Sequence, residues 1–330
     1  MVDRAAAALW RRAWCALACA GLAMSGCAIH AASGPQERLI PLPPGSVDVA
    51  GVDDAHLAVL VRDPSGHSSV AIVEREAGVV TARFNVPTDT VAIAPDGPLH
   101  VYALGARPAT SVLGVYSVGG AREQAYPLPG VALSVAAPAD DEAFVLLRRG
   151  GGRAVVEVQT ARRFMHAAIP APPGAESLAV SGEAPAFSLL VSDASERLWE
   201  RLPGGLVWHR LGAAGSDPVY SDSGNAIYAL QPFDGNGYVA VIARPFNLPA
   251  RLFPVERSVG RLGDGRDGSL VLLQHDGDAW NARSIACRSP LLAVRAFVNK
   301  HGRYFDEGHF PDPGATLPPT PEPAYTGDEC

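Results

Sequence analysis

The densest group of ionisable side chains lies near the C-terminus, where two histidines and two acidic residues stand close together. They are His301, Asp306, Glu307 and His309. Imidazole and carboxylate groups are the ligands that zinc and similar metals take in proteins. The two histidines, however, are eight positions apart in a segment interrupted by glycine. The pattern therefore favours a solvated surface loop over a metal site.

Acidic residues also recur at the turns that follow apolar, strand-like segments. They are Asp53, Asp54, Asp96, Asp140, Asp141, Glu142, Asp222, Asp264 and Asp267. A Ca²⁺ ion takes about six to eight oxygen ligands, which carboxylates around one channel could supply. Asp is also common in turns because its side chain hydrogen-bonds the nearby backbone. We interpret these acids as turn residues and keep a divalent-cation site as the alternative.

The remaining chemical patterns indicate structure. The segment Arg148-Arg149-Gly150-Gly151-Gly152-Arg153 could bind an anion, but it lies between two strand-like runs and no helix follows, as a phosphate loop requires. We expect a hairpin turn there. No Gly-x-Ser-x-Gly motif occurs. Trp199, Trp208 and Trp280 are expected to pack between strands. The sequence assigns no catalytic residue, cofactor or metal ligand, so enzyme activity stays open.

The N-terminal segment has the pattern of an export signal. Arg4, Arg11 and Arg12 precede a 12-residue apolar run, residues 13–24. A membrane-spanning helix needs about 20 apolar residues, so this run is too short to cross. A basic start, a short apolar centre and small residues beyond it are typical of a signal peptide.

The end of this segment, Leu22-Ala23-Met24-Ser25-Gly26-Cys27, resembles the lipobox of bacterial lipoproteins, with Met24 where Leu is usual. The resemblance implies a signal peptide over residues 1–26, cleavage before Cys27, and acylation of Cys27. Several acyl chains anchor a protein stably. Ala28 and Ile29 follow the cysteine; in Gram-negative lipoproteins the lack of Asp there implies transfer to the outer membrane. An ordinary secretory signal is the alternative.

Processing leaves Cys287 and Cys330 as the remaining cysteines, because Cys15 and Cys19 lie in the signal. In an oxidising compartment two leftover thiols can form a disulfide, and two free thiols are the alternative. Removal of Asp3 and three arginines changes the counts to 24 basic (27 − 3) and 33 acidic (34 − 1) residues, a net charge of −9. The net charge of the full sequence, −7, argues against a nucleic-acid partner, which requires a dense cationic face.

The elements that must position these residues repeat along the chain. An alternating apolar segment, a turn and an apolar run recur six times, at intervals of 40–44 residues between positions 46 and 273. Two more strand-like runs follow in each unit, separated by turns rich in Gly, Pro and Asp. Four short strands in such a repeat are typical of a β-propeller blade. We therefore predict an all-β, six-bladed propeller over residues 37–290.

The two ends of the repeat predict how the ring closes. The sixth unit stops near Pro290 after three strands, whereas an unassigned strand, residues 37–43, precedes the first unit. Its Pro41-Leu42-Pro43 matches Pro127-Leu128-Pro129 in the fourth strand of the second unit. We expect the N-terminal strand to complete the last blade and remove an exposed sheet edge. Residues 27–36 would be a linker, and 291–330 a partly disordered, Pro-rich C-terminal extension.

The chain resembles bacterial propellers of the broad lactonase and surface-repeat class, in architecture alone. Composition agrees: 48% of residues are hydrophobic, 18% are charged, and 34 Gly plus 29 Pro fall short of low complexity. We expect a lipid-anchored envelope protein, on the periplasmic side of the outer membrane, whose propeller is a scaffold binding another envelope protein or a ligand. The alternative is a divalent-cation-dependent lactonase or hydrolase, or a quinoprotein-like dehydrogenase, with its site at the channel.

Overall fold

The computed structural model describes residues 37–182, 185–220, 226–233, 236–243, 248–255, 259–265, 269–276 and 278–286. Several sequence predictions fall outside these residues: the signal and linker (1–36), Cys27, the Cys287–Cys330 pair, the His301–His309 cluster, Asp222, Asp267 and the C-terminal extension (291–330). No helix in the described part of the chain is long and apolar enough to cross a membrane.

The described residues form twenty-five β-strands in chain order. The first ones are β1 (Glu37–Leu42), β2 (Ser46–Gly51), β3 (His56–Arg62), β4 (Ser68–Glu74), β5 (Val80–Val86), β6 (Thr90–Asp96), β7 (His100–Gly105), β8 (Ser111–Ser117) and β9 (Arg122–Leu128). The next ones are β10 (Val131–Ala139), β11 (Glu142–Arg149), β12 (Gly152–Gln159), β13 (Phe164–Met165), β14 (Ile169–Ala171), β15 (Ala175–Ser181), β16 (Ser188–Asp193), β17 (Arg197–Arg201) and β18 (His209–Ala214). The last ones are β19 (Ser216–Tyr220), β20 (Ala226–Phe233), β21 (Asn236–Ala243), β22 (Leu248–Val255), β23 (Val259–Asp264), β24 (Ser269–Asp276) and β25 (Ala279–Ala286).

The strands pair into six antiparallel sheets, which are the blades of a propeller. Blade 1 is β2–β5, blade 2 is β6–β9, blade 3 is β10–β14, blade 4 is β15–β18 and blade 5 is β19–β22. Blade 6 has the order β1-β25-β24-β23. The first strand of each blade lies innermost, and these six inner strands surround a central channel. The predicted all-β, six-bladed propeller is confirmed.

The N-terminal strand closes the ring as predicted. β1 pairs antiparallel with β25, from Glu37 opposite Ile285 to Leu42 opposite Trp280. It is therefore the outer strand of blade 6, although it precedes blade 1 in the chain. Pro41 lies in this outer strand and Pro127 in the outer strand of blade 2, where a missing backbone N–H leaves no ladder partner unsatisfied.

Blade 3 departs from the four-strand pattern, because its outer strand is split into β13 and β14. Both pieces pair with β12. Between them the backbone N–H of His166 donates to the carbonyl oxygen of Glu157 at 2.9 Å. Pro170 has no N–H to donate to the ladder. The sequence predicted four strands in each unit. Here four steps from Met165 to Ile169 face only three from Val158 to Val155, so one extra residue divides the outer strand.

Among the described residues, the hydrophobic core consists of six clusters, one between each pair of neighbouring blades. Alternate residues of a strand point to opposite neighbours, as the period of a β-strand requires. In β24, Leu270 and Leu272 pack toward blade 5, whereas Val271 and Leu273 pack toward blade 1. Each blade is thus buried on both faces, which accounts for the long apolar runs in its middle strands.

The ring has two faces, which we name by the direction of the inner strands. The start face is where the six inner strands begin; it carries the connections between second and third strands and from one blade to the next. The end face is where the inner strands finish; it carries the connections from first to second and from third to fourth strand. Strand pairing fixes these assignments, since Asp264, Leu270, Ile285 and Glu37 lie at the same end of blade 6.

The seam between blades 6 and 1 depends on glycine. A Cβ at Gly263 would overlap the carbonyl oxygen of Val49, and one at Gly51 would overlap the carbonyl oxygen of Gly265. Arg75 reinforces this contact: its guanidinium donates to the Gly265 carbonyl oxygen and, at 3.3 Å, to Ser269 Oγ. The two inner strands therefore approach more closely than side chains at these positions permit.

Gly263→Ala should lower the free energy of unfolding by about 2 kcal/mol, because the added methyl group forces the seam apart. The measurement is urea unfolding followed by tryptophan fluorescence. Gly212→Ala is the matched control: Gly212 also lies in a strand, and a Cβ there would meet no atom within 4 Å. Equal stability of the two variants would contradict the close approach.

Candidate functional site

The six inner strands enclose the central channel, a concave feature of the described residues. It has a volume of about 520 Å³ and receives one segment from each inner strand. The lining segments are 48–51, 92–95, 134–138, 177–182, 217–220 and 261–264. Channels and cavities of this size hold small ligands or short segments of a partner.

One position of the repeat projects polar groups into the channel. Each inner strand has a bulge near its start, where its register with the second strand shifts. In blades 1, 2, 3, 4 and 6 the residues directly after the bulge are, in that order, Asp48, Ala92, Ser134, Ser177 and Arg261. In blade 5 the irregular stretch holds Asp217 and Pro218. Charged side chains from blades 1, 5 and 6 therefore meet near the start face.

These charged side chains form a cluster around one guanidinium. Arg261 Nη1 lies 3.1 Å from Asp217 Oδ1, and Asp48 also interacts electrostatically with Arg261. Burial raises the pKa of both carboxyl groups above the ordinary value, and Arg261 offsets part of that rise. Burial disfavours the charged guanidinium, but the two carboxylates outweigh it and raise the pKa of Arg261.

The same residues join neighbouring blades. Asp48 Oδ2 accepts a hydrogen bond from the Ile93 backbone N–H of blade 2 at 2.9 Å. Ser134 Oγ accepts one from the Leu178 N–H of blade 4 at 3.2 Å. The Arg261–Asp217 pair links blades 6 and 5 in the same way. The polar side chains of the channel thus hold the inner strands together while they line the cavity.

Asp48 should make stability depend on pH. Its pKa in the folded protein is raised, so the protonated carboxyl group stabilises the folded state relative to the ionised one. This stabilisation is fully present below pH 3.8, the ordinary pKa, and is lost as the pH rises through the folded pKa. Asp48→Asn removes this titration and keeps an oxygen acceptor for the Ile93 N–H. The free energy of unfolding of this variant, relative to the unchanged protein, should therefore increase from pH 4 to pH 7. Urea unfolding at several pH values measures it, and a constant difference would contradict a raised pKa.

A second cavity lies on the end face of blade 3. Its volume is about 420 Å³, and Glu142, Glu157 and His166 contribute to its lining. His166 Nε2 lies 3.3 Å from Glu157 Oε1. Burial, assisted by the charge of Glu157, raises the pKa of Glu142. Within the described ranges, no three His, Cys, Asp or Glu side chains are placed to hold a metal ion.

The acids singled out in the sequence have different roles in the structure. Asp53 Oδ1 accepts the backbone N–H groups of Ala55 at 2.8 Å and His56 at 2.7 Å. Asp96 Oδ1 accepts the Asp141 N–H at 2.6 Å. Asp54 and Asp140 are exposed, and Asp264 lines the channel. The turn interpretation is confirmed for Asp53, whereas Asp96 ends β6 and joins blade 2 to the backbone of blade 3.

The arginine-rich segment is the hairpin that the sequence predicted. Arg149 pairs with Gly152 across the turn between β11 and β12, and both central glycines have positive φ, 55° at Gly150 and 87° at Gly151. L-residues with a side chain rarely adopt this conformation, which accounts for the two glycines. Arg148 and Arg149 are exposed on the start face.

The tryptophans pack against the hydrophobic clusters between blades, as expected: Trp199 and Trp208 between blades 3 and 4, and Trp280 between blades 6 and 1. Trp199 Nε1 donates to Asp193 Oδ2 at 3.1 Å, and Trp208 Nε1 donates to the Pro170 carbonyl oxygen of the neighbouring blade at 2.7 Å. The Trp280 ring lies 4.2 Å from that of His275.

Sequence reasoning missed the cluster of Asp48, Asp217 and Arg261. Each stands in an apolar inner strand, and the residues are separated by 169 and 44 positions. The available signal was the repeat itself: aligning the blades places Asp48 and Arg261 at the position that Ala92, Ser134 and Ser177 occupy in other blades.

These features define a six-bladed β-propeller with a charged central channel. Solved structures with the same fold include TolB from Acinetobacter baumannii, with a TM-score of 0.53 and 14% sequence identity over 72% of this chain. This match covers 65% of the TolB chain, less than two thirds of its length. The Cps50 (Swd1) β-propeller domain from Myceliophteria thermophila matches with a TM-score of 0.51 and 10% identity, over 75% of this chain and 98% of that domain. No family model and no curated protein matches the chain.

Proposed function

We propose that the protein is a lipid-anchored component of the bacterial envelope whose propeller is a binding scaffold. Acylated Cys27 holds it on the periplasmic side of the outer membrane. The start face, around the mouth of the channel, binds another envelope protein or a ligand. The support for the anchor is the lipobox resemblance, and the support for the scaffold is the geometry of the channel.

The observation that carries the scaffold role is the set of contacts between blades inside the channel. Asp48, Ser134, Asp217 and Arg261 each hold a neighbouring inner strand at 2.9–3.2 Å. Such cross-links keep the mouth of the channel rigid, and a rigid surface binds a partner with a smaller loss of conformational entropy. These side chains therefore have a structural task that suits a preformed binding surface.

Exposed charge on the start face suits partner recognition. Arg148 and Arg149 project from the hairpin of blade 3, and Arg107 is exposed in blade 2, next to Asp89. Exposed charges at the rim of an interface steer association and select partners. We expect the partner to place complementary acidic groups against Arg148 and Arg149.

Affinity capture from detergent-solubilised envelope tests this proposal. The full chain should retain one partner in stoichiometric amount, and R148E/R149E should retain at least tenfold less. R162E/R163E is the matched control, since it reverses two exposed arginines on the end face and should capture normally. Equal capture by both variants would contradict recognition at the start face.

The enzyme alternative predicts a different result. A divalent-cation-dependent hydrolase would carry about one tightly bound Ca²⁺ per purified chain, which elemental analysis detects. One bound Ca²⁺ together with no stoichiometric partner would overturn the scaffold proposal. Capture of a partner by a metal-free chain would support it.

A further inference from the structure

The exposed large apolar side chains of the described residues gather on the end face. In blades 1 and 2 these are Val79 and Val80, at the connection between third and fourth strands, and Leu99, between the first two strands. Leu39 is the exception, since it lies within β1 opposite Arg283, on the outer edge of blade 6. The turns of the start face carry none of the large apolar side chains found exposed in the described ranges. Exposed apolar patches of this kind mark sites of interaction with a protein or a membrane.

The largest part of this surface lies on two neighbouring blades. Phe164 and Met165 of blade 3, and Leu202, Leu206 and Val207 of blade 4, form what we call the apolar rim. Leu206 is 90% exposed, Val207 63% and Phe164 52%. All five residues belong to the connections between third and fourth strands, or to the first residues of the fourth strand.

The loop that carries Leu206 is held in place. The Gly205 N–H donates to the Leu202 carbonyl oxygen at 3.0 Å, and Gly204 has a φ of 69°. Pro203 before this glycine is typical of a tight turn. At the other end, Trp208 Nε1 bonds to the Pro170 carbonyl oxygen of blade 3. The loop therefore presents Leu206 and Val207 outward in a fixed conformation rather than folding them onto the ring.

The start of the propeller lies on the same face. β1 is the outer strand of blade 6, and its first residue, Glu37, is at the end face. Ten positions separate Cys27 from Glu37, a length that spans at most about 35 Å when fully extended. An acyl group on Cys27 would therefore keep the end face within that distance of the bilayer.

We propose that the apolar rim inserts into the surface of the phospholipid bilayer and orients the propeller with its end face toward the membrane. This inference rests on the proposed anchor at Cys27. The start face, with its channel cluster, would then point away from the bilayer toward the partner. The anchor supplies a high local concentration of lipid, so the rim can act through weak contacts.

Burial of apolar groups, not net charge, drives this contact. Arg162, Arg163 and Arg210 flank the rim, but Asp141 and Glu142 lie nearby on the same face. The net charge around the apolar rim is therefore close to zero. The mature chain as a whole would carry a negative net charge. We expect the rim to bind zwitterionic phosphatidylethanolamine surfaces and to be insensitive to salt, whereas binding driven by charge weakens as salt is added.

Hydrogen–deuterium exchange of the acylated full chain tests the proposal, in nanodiscs of phosphatidylethanolamine with a minor phosphatidylglycerol fraction and in detergent. In nanodiscs, exchange at residues 201–210 and 160–166 should slow at least threefold relative to detergent, at 50 and 500 mM NaCl alike. Exchange at residues 106–110 of the start face should not change. L206Q/V207Q should lose the protection, whereas A109Q/T110Q, the matched change at exposed start-face positions, should keep it.

Each failure has its own signature. If the chain lacks acyl mass and does not enter nanodiscs, the anchor is wrong, and the inference falls with it. If the acylated chain is in the discs but residues 201–210 exchange as in detergent, the anchor stands and the apolar rim is not a membrane surface. Protection that persists in detergent and requires a co-purified protein would assign the rim to a protein partner and overturn the inference.

Discussion

Ile40→Asp is expected to destabilise the propeller by about 4 kcal/mol or more and to lower its melting temperature by roughly 10 °C. Ile40 is 1% exposed and packs in the cluster between blades 6 and 1, with Val271 and Leu273 of β24. A carboxylate there would be buried without a partner. Because β1 completes blade 6, its loss also exposes the edge of β25, so the variant should aggregate on heating.

Leu39→Asp is the matched control for this prediction. Leu39 is the preceding residue of the same strand and is 64% exposed, so the same substitution should change stability by less than about 0.5 kcal/mol. Thermal unfolding followed by circular dichroism compares the two variants. Equal melting temperatures would show that β1 does not form part of the buried seam.

Cys27→Ser should move the protein from the membrane fraction to the soluble fraction almost completely. Several acyl chains, at about 0.8 kcal/mol per buried methylene, anchor a protein stably, and we expect the proposed contact of the apolar rim to be too weak to replace them. Fractionation of cells followed by immunoblotting measures the change. Cys19→Ser is the control, since it alters a cysteine within the signal and should leave the protein in the membrane fraction.

The repeat made most of the fold predictable. Alternation and turn residues defined the blades, and the match between Pro41-Leu42-Pro43 and Pro127-Leu128-Pro129 located the strand that closes the ring. The split outer strand of blade 3 was not predictable, because it depends on one extra residue between Met165 and Ile169 relative to the facing stretch of β12. Arg75 was also missed: its partners, Gly265 and Ser269, lie 190 and 194 positions away.

The candidate site was harder to predict for a related reason. Asp48 and Asp217 resemble the many turn acids of this chain, and only the ring brings them to Arg261. A charged residue of the channel can be distinguished from a charged turn residue in the sequence only when the blades are aligned residue by residue. The apolar rim was equally hidden, since only strand pairing shows that Leu206 and Val207 lie in an exposed connection.

The mass of the N-terminal peptide of the mature chain tests the central claim most directly. We expect a peptide that begins at Cys27 and carries a thioether-linked diacylglyceryl group and an N-acyl chain. A mature chain that begins after another residue, or one in which Cys27 is an unmodified thiol, would contradict the anchor and the membrane orientation that depends on it.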